Sequence, residues 1–179
     1  MFLNFDEALG FKPKASSFSL LCDYETLLEK DISLKSFISL CKNKDIKLIQ
    51  YKDNISSLEI QKENLKIFKN SLNIPVMINN KLELAEYCDG LHFEQKDFSL
   101  IHKDKKIATK LIRKRIGKKL LGLSVSNEIE ILEANELELD MIEIGKCNKY
   151  SANDIDNIGN KISYLQKISF HPLFILSRI

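Results

Sequence analysis

The chain has 179 residues, 44% hydrophobic and 29% charged, with six Gly and three Pro, which suits one globular domain over residues 1–179 and excludes a low-complexity or collagen-like chain. Net charge is +2, no apolar run approaches a membrane span, and "MFLNFDEALGFKPK" lacks the basic start and long apolar segment of a secretory signal, so a cytoplasmic protein is expected. Cys22, Cys41, Cys88 and Cys147 are scattered, as are His92, His102 and His171, which argues against a redox pair, a zinc knuckle or a histidine metal cluster.

In chain order, short β-rich apolar runs alternate with stretches of helical periodicity. Phe18–Cys22 (FSLLC) and Ile46–Tyr51 (IKLIQY) are the first two predicted strands. "SSLEIQKENLKIFKNSL" follows, with Leu58, Leu65, Phe68 and Leu72 on one helix face and Ser56 or Ser57 as its cap. Ile74–Ile78 (IPVMI) is the third strand, "KLELAEYC" the next helix, and Gly90–Phe93 (GLHF) the fourth strand. After it comes "HKDKKIATKLIRKRIGKK", nine Lys or Arg against one Asp, so this stretch carries about +8 and the rest of the chain about −6. Ile107, Leu111, Ile112 and Ile116 recur at helical spacing, which makes the lysines the solvated face of an amphipathic helix. With no interleaved aromatic residue to stack on bases, nucleic acid is not expected as a partner, and neither is a membrane. Leu120–Val125 (LLGLSV), Met141–Ile144 (MIEI) and Leu173–Leu176 (LFIL) complete seven strands. The last two are separated by "SANDIDNIGNKISYLQKI", whose Ser151, Asn153 and Asp154 form a cap region and whose Ile155, Ile158, Ile162 and Leu165 share a face.

Strand and helix in alternation mean parallel pairing through right-handed crossovers, and continuous apolar runs fit strands covered on both faces. Two α/β architectures answer to that pattern, an open doubly wound sheet and a TIM-type (β/α) barrel. In both, a site forms at the C-terminal ends of the strands. Those ends read "CDYET", "QYKDN", "INNK", "FEQKD", "SVSN", "GKCNKY" and "SRI", mostly polar. No G-x-G-x-x-G or Walker loop follows the first strand, so a nucleotide cofactor is not indicated, which weakens the open sheet.

"LIQYKDN", "INNKLELAEYCDGLHFEQKD" and "LLGLSVS" carry a more specific signal. Their order and spacing resemble the thiamine phosphate synthase family and the thiazole tautomerase that shares its fold. The family pattern is a Q-x-R-x-K strand end, then I-N-D-R-x-D-L-A, A-D-G-x-H-x-G-Q-x-D and a G-x-S strand. The likeness runs from about Phe18 to Leu176 in element order and is dense from Lys47 to Ser126. It implies a (β/α)₈ barrel that joins an aminopyrimidine methyl pyrophosphate to a thiazole phosphate with release of pyrophosphate, using Mg²⁺. Pyrophosphate would depart before the thiazole nitrogen attacks, so cationic donors and a shaped pocket matter more than protein acids and bases.

By position, the resemblance implies that Gln50 and Asn79 contact the pyrimidine substrate. Lys52 stands for the pyrophosphate-binding arginine, Asn80 and Asp97 fall on the magnesium-ligand positions, and Ser124 is the serine beside the pyrimidine. Ser124 and Lys52 are thus the candidate catalytic residues. Several departures lower the expected activity. Lys52 keeps the charge without the bidentate fork of arginine, Asn54 replaces a second basic residue, and Asn80 is a neutral stand-in for an aspartate. In place of the family's phosphate loop stands "GKCNKYSAND", with Lys146 and Lys149 as the candidate cations. Ser126 stands where the tautomerase has its catalytic histidine. The seventh run ends at Ile179 without the family's eighth unit, so the barrel is expected to be truncated or open after the seventh strand. Unpaired edges are a liability. The expected remedies are a plug made by "MFLNF" or a second copy in a homodimer. Three functions follow: synthase, tautomerase-like protein, and non-catalytic binder of a pyrimidine or a phosphate.

The same residues also have ordinary structural uses. Asn79 and Asn80 are placed to cap the following helix, and Asp97 to cap one beginning near Phe98. Asp89-Gly90 reads as a turn, His92 as a hydrogen-bonded core histidine, and Gln50 and Ser124 as strand-end residues bonding local backbone.

Overall fold

The computed structural model describes residues 17–42, 46–144 and 155–178. The N-terminal "MFLNF", Lys146 and Lys149, and the cap region around Ser151, Asn153 and Asp154 lie outside the described residues.

Seven parallel strands, β1 (Ser17–Asp23), β2 (Leu48–Lys52), β3 (Val76–Asn79), β4 (Gly90–Phe93), β5 (Leu120–Val125), β6 (Met141–Ile144) and β7 (Leu173–Arg178), follow one another around a closed barrel. Each apolar run becomes a strand because its side chains are covered on both sides, by the barrel interior and by the outer helices. The expected open edge does not form. β7 pairs directly with β1, Ser19 opposite Leu176 and Leu20 opposite Ser177, so neither a plug nor a second copy is required to satisfy the edge strands.

The outer layer comprises α1 (Tyr24–Glu29), α2 (Leu34–Lys42), α3 (Leu58–Ser71), a 3₁₀ helix (Leu82–Tyr87), α4 (Gln95–Ile101), α5 (Lys105–Ile116), α6 (Glu128–Ala134) and α7 (Ile155–Ile168). Ser57 caps α3 by accepting the Ile60 N–H at 3.4 Å. Leu65, Phe68 and Leu72 are buried as expected, while Leu58 is 41% exposed and Gln61 and Asn64 join the buried face of α3. Asn64 and the Tyr51 hydroxyl share a polar contact behind β2, where Tyr51 also donates to the Asp53 carboxylate at 2.6 Å. Polar groups are thus drawn into that face of the helix.

α5 makes a similar correction. Ala108, Thr109, Ile112 and Ile116 face the core, and Ile107 and Leu111 are 43% and 48% exposed. Small residues let the helix approach the sheet, which rotates the buried face by one position. Part of the basic stretch is engaged by the chain's own acidic and carbonyl groups. Arg113 donates to the Glu138 and Lys119 carbonyls and to the Asp140 carboxylate, and Lys105 and Lys106 pair with Glu133 and Glu136.

Asp89 does more than turn the chain. Its carboxylate accepts the Val76 N–H at 2.9 Å, its own N–H donates to the Val76 carbonyl, and its carbonyl accepts from Leu120. One residue therefore ties the starts of β3, β4 and β5. Cys22 and Cys88 are buried free thiols, and Cys41 is buried as well. Among the described residues no helix is long and apolar enough to cross a membrane.

Candidate functional site

Side chains alternate along each strand, so every second residue enters the barrel. At the bottom, Leu48, Met77, Leu120, Met141 and Phe174 form a separate apolar cluster that seals the interior. Two residues further along, three of these strands turn polar, with Gln50 on β2, Asn79 on β3 and Glu143 on β6, and β5 carries Gly122, which has no side chain. Ser19 on β1 and His92 on β4 join them, and beyond these come Lys52 and Ser124.

The inner polar layer is one connected network. Glu143 is 1% exposed, and its Oε2 accepts from the Ser19 hydroxyl at 2.5 Å and from the Gln50 side-chain amide. Its Oε1 lies 3.8 Å from His92 Nε2. That same nitrogen is 2.9 Å from Ser124 Oγ. Gln50 and Ser124, from strands on different sides of the barrel, therefore converge on a shared buried centre. Backbone pairing sets Asn79 beside His92, and the buried Asn79 Oδ1 has no hydrogen-bond partner among the described residues. Gln95 at the start of α4 pins β5 by donating to the Ser124 carbonyl at 2.9 Å.

His92 is read correctly as a buried histidine, though its partners are site residues rather than plain core. Burial pushes its imidazole down to about 4, against a smaller upward pull from Glu94. Desolvation is the effect that dominates. Gly122 makes room for the ring: a Cβ there would meet His92 Nδ1 at 2.7 Å.

At the rim the charges are mixed. Lys52 is partly exposed at the end of β2. Glu94 sits within its electrostatic reach and pairs with Lys96 at 3.0 Å, and these cations, Lys96 foremost, hold its carboxyl below the ordinary glutamate range.

The two candidate metal ligands are less favourably disposed. Asn80 is exposed in a left-handed conformation, φ 44°, with its backbone N–H bonded to the His92 carbonyl at 2.9 Å. It does not cap the 3₁₀ helix, whose preceding residue is Lys81. Asp97 is buried in the third position of α4, which starts at Gln95 rather than near Phe98. Its Oδ2 accepts the Glu94 N–H at 2.9 Å, a capping contact. Mg²⁺ demands a near-octahedral oxygen shell, usually with one or two carboxylates and substrate phosphates. One capping carboxylate and one exposed neutral carboxamide do not fit a protein-held Mg²⁺. Among the described residues no group of three His, Cys, Asp or Glu could hold a metal either. Ser126, at the tautomerase histidine position, is exposed, and its N–H donates to Glu130.

Ser19 and Glu143 escape a reading of the sequence. The only signal is that each is a lone polar residue inside an apolar run, FSLLC and MIEI.

Comparison with known proteins agrees with this architecture. A family model described as thiamine monophosphate synthase matches residues 24–154. Thiamine-phosphate synthase from Clostridium botulinum strain 657 / Type Ba4 is 29% identical over 134 residues, 73% of this chain and 51% of that protein. The enzyme of the same name from strain Langeland / NCTC 10281 / Type F is 30% identical over the same lengths. The chain thus spans about half the length of the curated relatives it matches. Among solved structures, a mandelate racemase/muconate lactonizing enzyme superposes with a TM-score of 0.56 at 10% identity, covering 98% of this chain and 56% of that one, a likeness of fold alone. With its barrel, its strand-end residues and a family match over most of its length, this chain belongs to the thiamine monophosphate synthase family.

Proposed function

We propose that the barrel mouth binds an aminopyrimidine methyl diphosphate and that the protein acts as a transferase, condensing it with a thiazole phosphate in the cytoplasm. The observation that supports this best is the convergence of Gln50 and Ser124 on one buried polar centre with Lys52 on the strand end above it.

In this reading, Gln50, Asn79 and Ser124 hold the pyrimidine. Lys52 faces the diphosphate as a point charge and stabilises the oxygens that gain charge as the carbon–oxygen bond breaks. The electron pair leaves with diphosphate, and the thiazole nitrogen supplies the pair for the new carbon–nitrogen bond. Neither event requires the protein to take a proton. Mg²⁺ would enter only as the counter-ion of the diphosphate substrate.

The test is product formation by the purified chain with both substrates and excess Mg²⁺. Thiamine phosphate should accumulate, and Lys52→Ala should lower the rate by about 100-fold with folding intact. No product at high enzyme concentration rejects the transferase. The neutral, exposed Asn80 favours the second reading, a pyrimidine diphosphate binder without condensation, which would then be sustained by saturable binding of the pyrimidine substrate alone.

A further inference from the structure

The buried carboxylate on β6 is assigned no part in the reading above, yet it touches Gln50 and approaches His92. We infer that Glu143 and His92 are positioning residues that fix the hydrogen-bonding polarity of the mouth, making Gln50 an acceptor and Ser124 a donor toward the ligand, and so select an aminopyrimidine edge over an oxopyrimidine edge. The inference rests on the pyrimidine reading of the site and names how that site discriminates.

The chemistry of each group leads there. A carboxylate accepts hydrogen bonds and has none to give. The end of the Gln50 carboxamide that faces Glu143 Oε2 is therefore its NH₂, and the carbonyl oxygen is turned away from it. The Ser19 hydroxyl, donating to the same carboxylate oxygen at 2.5 Å, holds the carboxylate in place. Gln50 cannot flip without setting its carbonyl against the oxygen that already accepts the Ser19 hydroxyl.

His92 settles the other half. Its Nδ1 is buried and has no hydrogen-bond partner among the described residues. A bare lone pair in such a place is cheaper than an orphaned N–H. The proton of the neutral ring therefore sits on Nε2, which donates to Ser124 Oγ at 2.9 Å and faces the Glu143 carboxylate at 3.8 Å. With Ser124 Oγ serving as the acceptor, its own proton is left to point elsewhere, and Ser124 is partly accessible.

The two residues then present one acceptor and one donor. An aminopyrimidine edge offers the complement, an exocyclic N–H beside a ring nitrogen lone pair. An oxopyrimidine reverses both, with a carbonyl beside a ring N–H. A site committed in this way leaves buried groups unpaired when the wrong edge enters, which is how polar pockets reject near-isosteres.

The experiment has two arms. Calorimetric titration compares aminopyrimidine methyl diphosphate with its oxopyrimidine analogue on the wild-type chain and on Glu143→Gln, whose amide can present either end to Gln50. Wild type should prefer the amino compound by about 100-fold, and Glu143→Gln should reduce the ratio to within about 3-fold. Loosened packing would weaken both ligands alike and leave the ratio intact. An unchanged ratio in the variant, or equal binding of both compounds by wild type, overturns the inference; the second result needs no variant to fold. The other arm uses no ligand. In ¹⁵N-resolved NMR the Gln50 side-chain amide pair should be shifted and protected from exchange in wild type, and should return to the position of a free glutamine in Glu143→Gln. A pair that already resembles free glutamine in wild type overturns the clamp. Wild type that binds neither pyrimidine rejects the pyrimidine reading, while the amide resonances still decide whether Glu143 holds Gln50.

Discussion

Replacing Gly90 with alanine is expected to remove a large share of the protein's folding free energy. The backbone at Gly90 is not in the left-handed region that only glycine favours; the demand is for space. β4 starts here, opposite Leu120 of β5, and a Cβ at Gly90 would lie 2.5 Å from both the Leu120 Cβ and its carbonyl oxygen. A flexible side chain can rotate away from such a clash, but a carbonyl in a parallel ladder cannot. Relief requires β4 and β5 to separate where Asp89 ties both to β3. Overpacking a close-packed interior typically costs 1–3 kcal/mol and occasionally more, and a contact with paired backbone belongs at the upper end, at least about 3 kcal/mol. Domains are stable by about 5–15 kcal/mol, so the loss is a large share of the total. Denaturant unfolding measures it directly. A midpoint within experimental error of wild type would mean that the two strands are further apart than described.

The second large effect is acid sensitivity above the range where carboxylates titrate. His92 is fully enclosed, and burial holds its imidazole at about 4, against an ordinary value near 6.5. A group whose folded value is depressed stabilises the fold above its unfolded value, and that stability is lost as pH falls. Here the loss begins near pH 6.5, where the unfolded chain starts to take up a proton that the folded chain refuses, and is complete near pH 4. The shift corresponds to about 3 kcal/mol over that window. His171 is depressed by burial too and adds loss of the same sign. Asp53 and Glu94 are held below their ordinary values, so their share is lost at lower pH. Unfolding free energies of wild type and His92→Gln at pH 7, 5.5 and 4.5 separate these contributions. The wild type should lose most of this amount across the series and the variant much less. Parallel curves would show that His92 is not the group that titrates.

Much of the fold is legible in the residue pattern. The runs GLHF, LLGLSV and MIEI become β4, β5 and β6 at the expected residues, because a strand covered on both faces leaves a continuous apolar trace. Helix faces are less legible. The inward side of α5 is set by Ala108 and Thr109, small residues that permit close approach, and a reading that weighs large apolar side chains selects Ile107 and Leu111 instead. Barrel closure is hidden altogether: whether seven strands meet depends on tilt and stagger, which no local pattern carries.

The site divides along the same line. Gln50, Lys52, Asn79 and Ser124 are visible because they sit at strand ends in a recognisable order, and the barrel gathers them at the C-terminal ends of β2, β3 and β5. Glu143 and Ser19 are invisible because one polar residue within a short apolar strand looks like an outward position, and only the closed barrel shows that it points in. Asn80 stands apart from these for a conformational reason. Its left-handed backbone takes it out of the strand line and leaves its side chain exposed.

The most direct test of the account is where the ligand goes. Titrating the wild-type chain with aminopyrimidine methyl diphosphate while recording ¹⁵N-resolved spectra should shift the side-chain amides of Gln50 and Asn79 and the backbone amides of Lys52 and Ser124 together, with one affinity. Saturable shifts at other surfaces with these four unmoved, or no shift at all, would contradict it.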